Sequence, residues 1–307
     1  MKSPTQSGRV SVTVASNRSA ELLKACLASL VSQCSALGAE LIVVRTAPPA
    51  DVSALEREWP SVRFIAAPMD ATIPELRGRG LEAAGGDLVA LTEDHCVATP
   101  GWLQALVDAA GPETMAVGGG MGNAQTGRAV DWGAYFSEYG FFDAGRPAGN
   151  HTLLTAANVA YRRPVVREMA SGALAGDWEN VLHGRLQEQG RETRFASGAV
   201  IRQNRTYRLG AFCRDRFEHG RDYSRARLEE EPGTNRWVRL LACAPLPFLL
   251  TWRVAQAAGR GSPGAFVRAL PATFTFLAAW SVGEAAGYLL GPAHAVASST
   301  KHQAPST

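Results

Sequence analysis

Arg77-Gly78-Arg79-Gly80-Leu81-Glu82-Ala83-Ala84-Gly85-Gly86-Asp87-Leu88-Val89-Ala90-Leu91-Thr92-Glu93-Asp94-His95 is the stretch on which the reading of this chain turns. Within it a short apolar run, Leu88 to Leu91, reads as a strand and ends in four polar residues. Toward the N-terminus, β-rich runs alternate with helical stretches: Val10, Val12 and Val14, then Leu22 to Val31, then Leu41 to Val44, then Val62 to Ile65. Alternation at this spacing is the pattern of βαβ units and a parallel sheet. Ligands of such sheets bind beyond the carboxyl ends of the strands. The residues to inspect are therefore Ser16 to Arg18, Arg45 and Thr46, and Thr92 to His95.

Glu93-Asp94-His95 packs two carboxylates and an imidazole into three consecutive positions. Carboxylate oxygen and imidazole nitrogen suit a hard or borderline divalent cation. Taken alone, the triplet is equally an exposed polar turn ahead of Pro100.

The longer string resembles the central signature of the family 2 glycosyltransferases. There an Arg-Asn-x-Gly helix start, an Ala-x-Gly-Asp turn and an apolar strand lead into an Asp-x-Asp motif. The resemblance implies a GT-A fold: a mostly parallel sheet flanked by helices, to which this α/β chain adds a C-terminal hydrophobic helical appendage. Aligned on Asp87, Glu93 and His95 fall on the two acidic positions, which implies ligands for Mg²⁺ or Mn²⁺ beside the donor's diphosphate, with Asp94 between them. Val10 to Arg18 is similar to the family's opening strand and its Pro-Thr-x-Asn-Arg loop, without the proline, which places Asn17 at the donor. Arg45 stands where the family usually ends its second strand in Asp-Asp-Gly or Asp-Asp-Ser, so the usual uridine contact is replaced and the base is left open. Arg77 matches the family's arginine and is expected to face the nucleotide.

Downstream, Gly176 to Leu186 resembles the family's Glu-Asp motif followed by Arg-Leu. Counting back from Arg185-Leu186, Glu179 falls on the catalytic base, with Asp177 as the alternative. Inverting transfer needs such a carboxylate to take the acceptor hydroxyl's proton. Both residues also suit a helix start, where acids are favoured. Thr155 to Arg163 resembles an Asn-x-Ala-Tyr-Arg-Arg strand, and Gln203-Asn204 stands where relatives often place a histidine. Arg214, Arg216, His219, Arg221, Arg225 and Arg227 form a basic helical segment that suits pyrophosphate, lipid headgroups or simply a solvated face.

Composition bounds the rest. At 307 residues and 46% hydrophobic, the chain buries one substantial core and a smaller appendage. A formal charge of +3 gives no reason to expect nucleic acid as a partner. Five cysteines without a CxxC pair suit a reducing compartment, and MKSPTQSGRV lacks the apolar run of a cleaved signal peptide. The expected division is 9–235 for the transferase-like domain, 236–292 for hydrophobic membrane-associated helices and 293–307 for a disordered tail. Leu240 to Trp252 is too short to span a bilayer alone. Ala269 to Gly283 is interrupted by Glu284, so interfacial or re-entrant helices fit better than a span, with Trp237, Trp252 and Trp280 near the headgroups. An ordinary buried helical pair is the plainer reading. The expected partners are a nucleotide-sugar donor, a hydroxyl acceptor that the appendage suggests is lipid-linked, and a membrane surface. The expected site of action is the cytoplasmic face of the cell membrane.

Two other functions compete. A Rossmann dehydrogenase would share the βαβ opening, but Ala15-Ser16-Asn17-Arg18 has no glycine for a GxGxxG turn. An inactive, membrane-docked binding module is favoured by the departures at Arg45 and Gln203 and opposed by the retention of Glu93, His95 and Glu179.

Overall fold

The computed structural model describes residues 9–292, apart from 152, 171–178, 232 and 234. The β-branched run Val10–Ser16 forms strand β1, buried along its whole length. It is followed by β2 (Glu40–Thr46), β3 (Arg63–Ala67) and β4 (Leu88–Glu93). Helices α1 (Ala20–Leu37), α2 (Pro49–Glu58) and α3 (Ile73–Ala83) connect them. Local chemistry sets the helix ends. Ser19 accepts from the Leu22 N–H at the start of α1, and Gly38 closes that helix with φ 60°. Thr72 and Glu75 form a reciprocal capping box on α3.

Beyond β4 come β5 (Cys96–Ala98), α4 (Trp102–Ala109), β6 (Thr114–Asn123), α5 (Ala129–Tyr139) and β7 (Gly149–Asn150). They are followed by β8 (Val159–Arg162), α6 (Arg163–Ala170), α7 (Glu179–Glu188) and β9 (Glu192–Gln203). The nine-stranded sheet runs β3-β2-β1-β4-β8-β6-β9-β5, with β7 on β9. Its first four strands are parallel. β8 is antiparallel to both β4 and β6, so the sheet is mixed, and the Asn-x-Ala-Tyr-Arg-Arg strand lies in its middle. The turn before β4 has room only for glycine: a Cβ on Gly86 would lie 2.5 Å from Ser11 Oγ and 2.8 Å from the Arg9 carbonyl. This close approach lets Asp87 accept from the Arg9 N–H at 3.1 Å and brings β4 in beside β1.

The chain closes with helices α8 (Leu209–Glu230), α9 (Arg236–Ala242), α10 (Leu246–Gly261) and α11 (Pro263–Leu290). It divides into two compact units: the chain up to Gln125 with Phe142–Arg205, which holds the sheet, and Thr126–Phe141 with the chain from Thr206, which holds α5 and α8 to α11. Within the second unit α11 buries its inner face on α8 and α5. Gly283 and Gly287 allow that packing: a Cβ on either would come within 1.9 Å of Phe217 O or Ser224 Oγ. Ala134, Tyr207, Phe212 and Phe276 form the apolar centre of this unit. Of the basic segment on α8, Arg216 is buried, pairing with Glu138 at 3.5 Å and lying 4.5 Å over the Trp280 ring.

Candidate functional site

The ends of β2, β1 and β4 lie side by side, with Ser16 in register with Arg45 and Ala15 with Glu93. Parallel pairing thus brings together three segments far apart in sequence at the carboxyl edge of the sheet. The Asp94 N–H continues the ladder to the Ala15 carbonyl at 3.1 Å. The Asp94 carboxylate, 1% exposed, accepts from Ser16 Oγ at 2.9 Å and from the Arg18 N–H at 2.8 Å. Arg45 clamps the same loop, donating to Ser16 Oγ at 2.5 Å and to the Arg18 carbonyl at 3.0 Å. Burial pushes the Asp94 carboxyl above its ordinary range, against the two hydrogen bonds that favour its ionised form. Asp94 and Arg45 therefore set the shape of the loop after β1. Asn17 lies in that loop with its side chain exposed.

Glu93 and His95 flank this anchor. Glu93 is ion-paired with Arg77 of α3, Oε1 to Nη2, at 2.5 Å. Its other oxygen, Oε2, lies 3.4 Å from His95 Nδ1. Burial drives the Glu93 pKa up, but the Arg77 guanidinium and the other nearby positive charges outweigh it, and the group ends below its ordinary value. His95 is moved the other way: burial lowers its pKa to about 4, helped by Arg18, Arg205 and Arg77 and opposed by Glu93. At neutral pH the imidazole is uncharged, and Arg77 is the close cation that holds Glu93 ionised. A carboxylate oxygen and a neutral imidazole nitrogen facing each other suit a borderline divalent ion. Among the described residues no group of three or more His, Cys, Asp or Glu side chains is arranged to hold a metal.

The structure thus brings Glu93, Asp94, His95, Arg77 and Arg45 to one edge, with Asn17 on the adjoining loop. Glu179 is the first residue of α7, and its side chain and the whole of Asp177 lie outside the described residues. Gln203 is buried and donates to Asn123 Oδ1 at 3.2 Å, while the Asn204 N–H donates to the His95 carbonyl at 2.7 Å. Sequence reasoning assigns no individual role to Ser16, Arg18 or Arg205. Arg18 adjoins Asn17 in the quoted loop, and Arg205 directly follows the Gln203-Asn204 pair, so neighbouring motifs are the available signal. With Arg45 and Arg77, the two arginines make a strongly positive surround, which favours an anionic ligand.

Residues 11–170, more than half the chain, match the family model described as glycosyl transferase family 2. Curated proteins gave no match. Among solved structures, the mannosyltransferase PcManGT from Pyrobaculum calidifontis, in complex with GDP-Man and Mn²⁺, superposes with a TM-score of 0.51. The identity is 16%, covering 97% of this chain and 78% of that one. GalNAc-T7, with UDP, GalNAc and Mn²⁺, also gives a TM-score of 0.51, at 13% identity over 64% of this chain and 44% of that one. At these identities the likeness is one of fold.

Proposed function

The chain belongs to glycosyl transferase family 2 and is a glycosyltransferase, and from that premise we propose that it moves one sugar, with inversion, from a nucleoside-diphosphate donor to a hydroxyl acceptor. The observation that carries this reading is the meeting of Glu93, His95 and Arg77 at the carboxyl end of β4, in a positive surround.

Glu93 and His95 would hold Mg²⁺ or Mn²⁺. When bound, the ion would neutralise charge on the departing diphosphate. Arg77 keeps Glu93 ionised, so the carboxylate needs no deprotonation before it binds a cation. Arg18 and Arg205 supply positive potential for the donor's phosphates. The Asp94–Ser16–Arg45 lattice fixes the loop that bears Asn17, which orients the donor. Glu179, at the N-terminal end of α7, takes the proton from the acceptor hydroxyl as that oxygen attacks the anomeric carbon. A lipid-linked acceptor in envelope polysaccharide or glycolipid synthesis, met at the cytoplasmic face of the cell membrane, fits the apolar helices of the second unit.

The test is a panel of nucleotide sugars with Mg²⁺ or Mn²⁺, scored for transfer or hydrolysis. Glu179→Gln is expected to abolish turnover while leaving metal-dependent protection by the nucleoside diphosphate intact. Normal turnover in that variant removes Glu179 as the base, and no response to any donor removes the transferase reading.

A further inference from the structure

Among the described residues, eleven of the thirteen exposed large apolar side chains lie on α9, α10 and α11. That concentration marks one small part of the chain as an unsatisfied apolar surface. Trp237 and Leu241 on α9, Phe248 and Trp252 on α10, and Val267 and Val282 on α11 carry most of it, each more than half exposed. The three helices adjoin: Phe248 meets Phe274 at 5.1 Å between ring centroids, and α9 packs on α11. At 100° per residue, Val267, Val282 and Leu289 fall on one side of α11. Ala269, Phe276, Gly283 and Gly287, its buried residues, fall on the other.

Charge narrows what can cover this surface. Between 236 and 292 every basic residue is an arginine and the single acid is Glu284, which is buried and hydrogen-bonded to Trp280 Nε1 and Tyr288 Oη. The exposed charges described there, Arg236, Arg253 and Arg268, are all positive, and Arg236 lies 4.7 Å over the Trp237 ring. Apolar and aromatic side chains interleaved with arginine suit the boundary of an anionic bilayer.

Length alone would let α11 cross that bilayer, since its 28 residues pass the usual test of extent and hydropathy. Its packing forbids it. The half of α11 from Phe276 on, with its cap residue Gly291, lies along α8 from Phe212 to Arg225. α8 exposes Arg214, Asp215, Glu218, His219 and Asp222, which would enter hydrocarbon with it. The other half lies against α5, through Phe266 on Phe136 and Ala272 on Gly133. α9 and α10 do not form a straight span either, being bent by 61° at their junction.

We propose that α9, α10 and the outer side of α11 dock in the plane of an anionic lipid surface, and that no segment between 236 and 292 crosses it. This docking does not depend on the transfer reaction, and its test is read without donor or turnover. The full chain is mixed with vesicles of phosphatidylcholine alone or with added phosphatidylglycerol, then floated and extracted with alkaline carbonate. The expected result is flotation with anionic vesicles only, release by carbonate, and weakening by salt. Arg253→Gln with Arg268→Gln should lower partition about 30-fold, the equivalent of about 2 kcal/mol. Trp237→Glu with Leu241→Glu should abolish flotation while far-UV circular dichroism is unchanged. Resistance to carbonate overturns the in-plane arrangement in favour of a span. Equal binding to neutral vesicles overturns the role of the arginines. Absence of vesicle binding, with a dimer that Trp237→Glu dissociates, overturns the lipid surface in favour of a second copy of the chain.

Discussion

His183→Gln should remove a pH dependence of folding stability that the structure places on one imidazole. His183, on α7, is fully buried, with Nε2 2.9 Å from the Tyr161 hydroxyl of β8 and the two rings stacked at 5.9 Å. Burial lowers its pKa from 6.5 to about 4. Between those values the unfolded chain takes up a proton that the folded chain refuses, so stability rises with pH across the window. The contribution is fully present above pH 6.5 and is lost as pH falls toward 4. From pH 7 to pH 5 about 1.5 pKa units of the window are crossed, worth about 2 kcal/mol at 1.36 kcal/mol per unit. Glutamine can still bond to the Tyr161 hydroxyl but does not titrate. Urea unfolding of both proteins at pH 7 and pH 5, followed by tryptophan fluorescence, should give the parent a loss about 2 kcal/mol larger than the variant's. His95 also has a depressed pKa but is present in both proteins, so its effect cancels. Equal losses in the two proteins would show that His183 is solvated or charged in the fold and refute the reasoning.

Three further outcomes follow from the geometry. Asp94→Ala removes the one oxygen, Oδ2, that accepts from both the Ser16 hydroxyl and the Arg18 N–H, and should cost about 1–3 kcal/mol in urea unfolding and raise the KM for donor. Glu93→Gln removes the charge facing Arg77 and one of two candidate metal donors, so the Mn²⁺ concentration for half-maximal transfer should rise at least about tenfold, as even outer-shell changes do. Gly283→Leu would drive a side chain into the Phe217 backbone, and should destabilise by about 3 kcal/mol or more, read as lost near-ultraviolet circular dichroism from Trp280.

The strands β1 to β4 are legible because a parallel sheet covered on both sides favours continuous apolar runs, which Leu41–Val44 and Leu88–Leu91 supply, and because Val10, Val12, Thr13 and Val14 make β1 rich in β-branched residues. The ten-residue strand β6 is not, because Gly118 to Gly120 read as irregular chain. Those glycines are required by contacts no local pattern reveals: a Cβ on Gly119 would sit 1.9 Å from the Ala199 carbonyl, eighty residues away. The aromatic run of α5 belongs with the helices after Thr206, where Phe136 packs edge-on against Phe266, a partner more than a hundred residues away. At the site, Glu93 and His95 stand out by their spacing from Arg77 and Asp87, since the triplet alone reads as a polar turn. Arg18 and Arg205 do not, since an arginine near a motif is ordinarily a surface residue, and their effect on His95 arises only once β1 and β9 end beside β4 and β5. The bonds from Ser16 and Arg18 to the Asp94 carboxylate are likewise invisible in the sequence, since they join the end of β4 to a loop almost eighty residues earlier.

The route of the chain through its two units bears on how this protein can be cut and grafted. The helical unit is assembled from two separated stretches, one of which, Thr126–Phe141, falls in sequence between β6 and β7. A chain truncated after Asn235 would keep α5 and α8 but strip Phe136 and Phe212 of their partners Phe266 and Phe276. Such a product would bare apolar surface and aggregate instead of yielding a catalytic fragment. A chimera that exchanges the apolar helices with another transferase would have to carry residues 126–141 along with them.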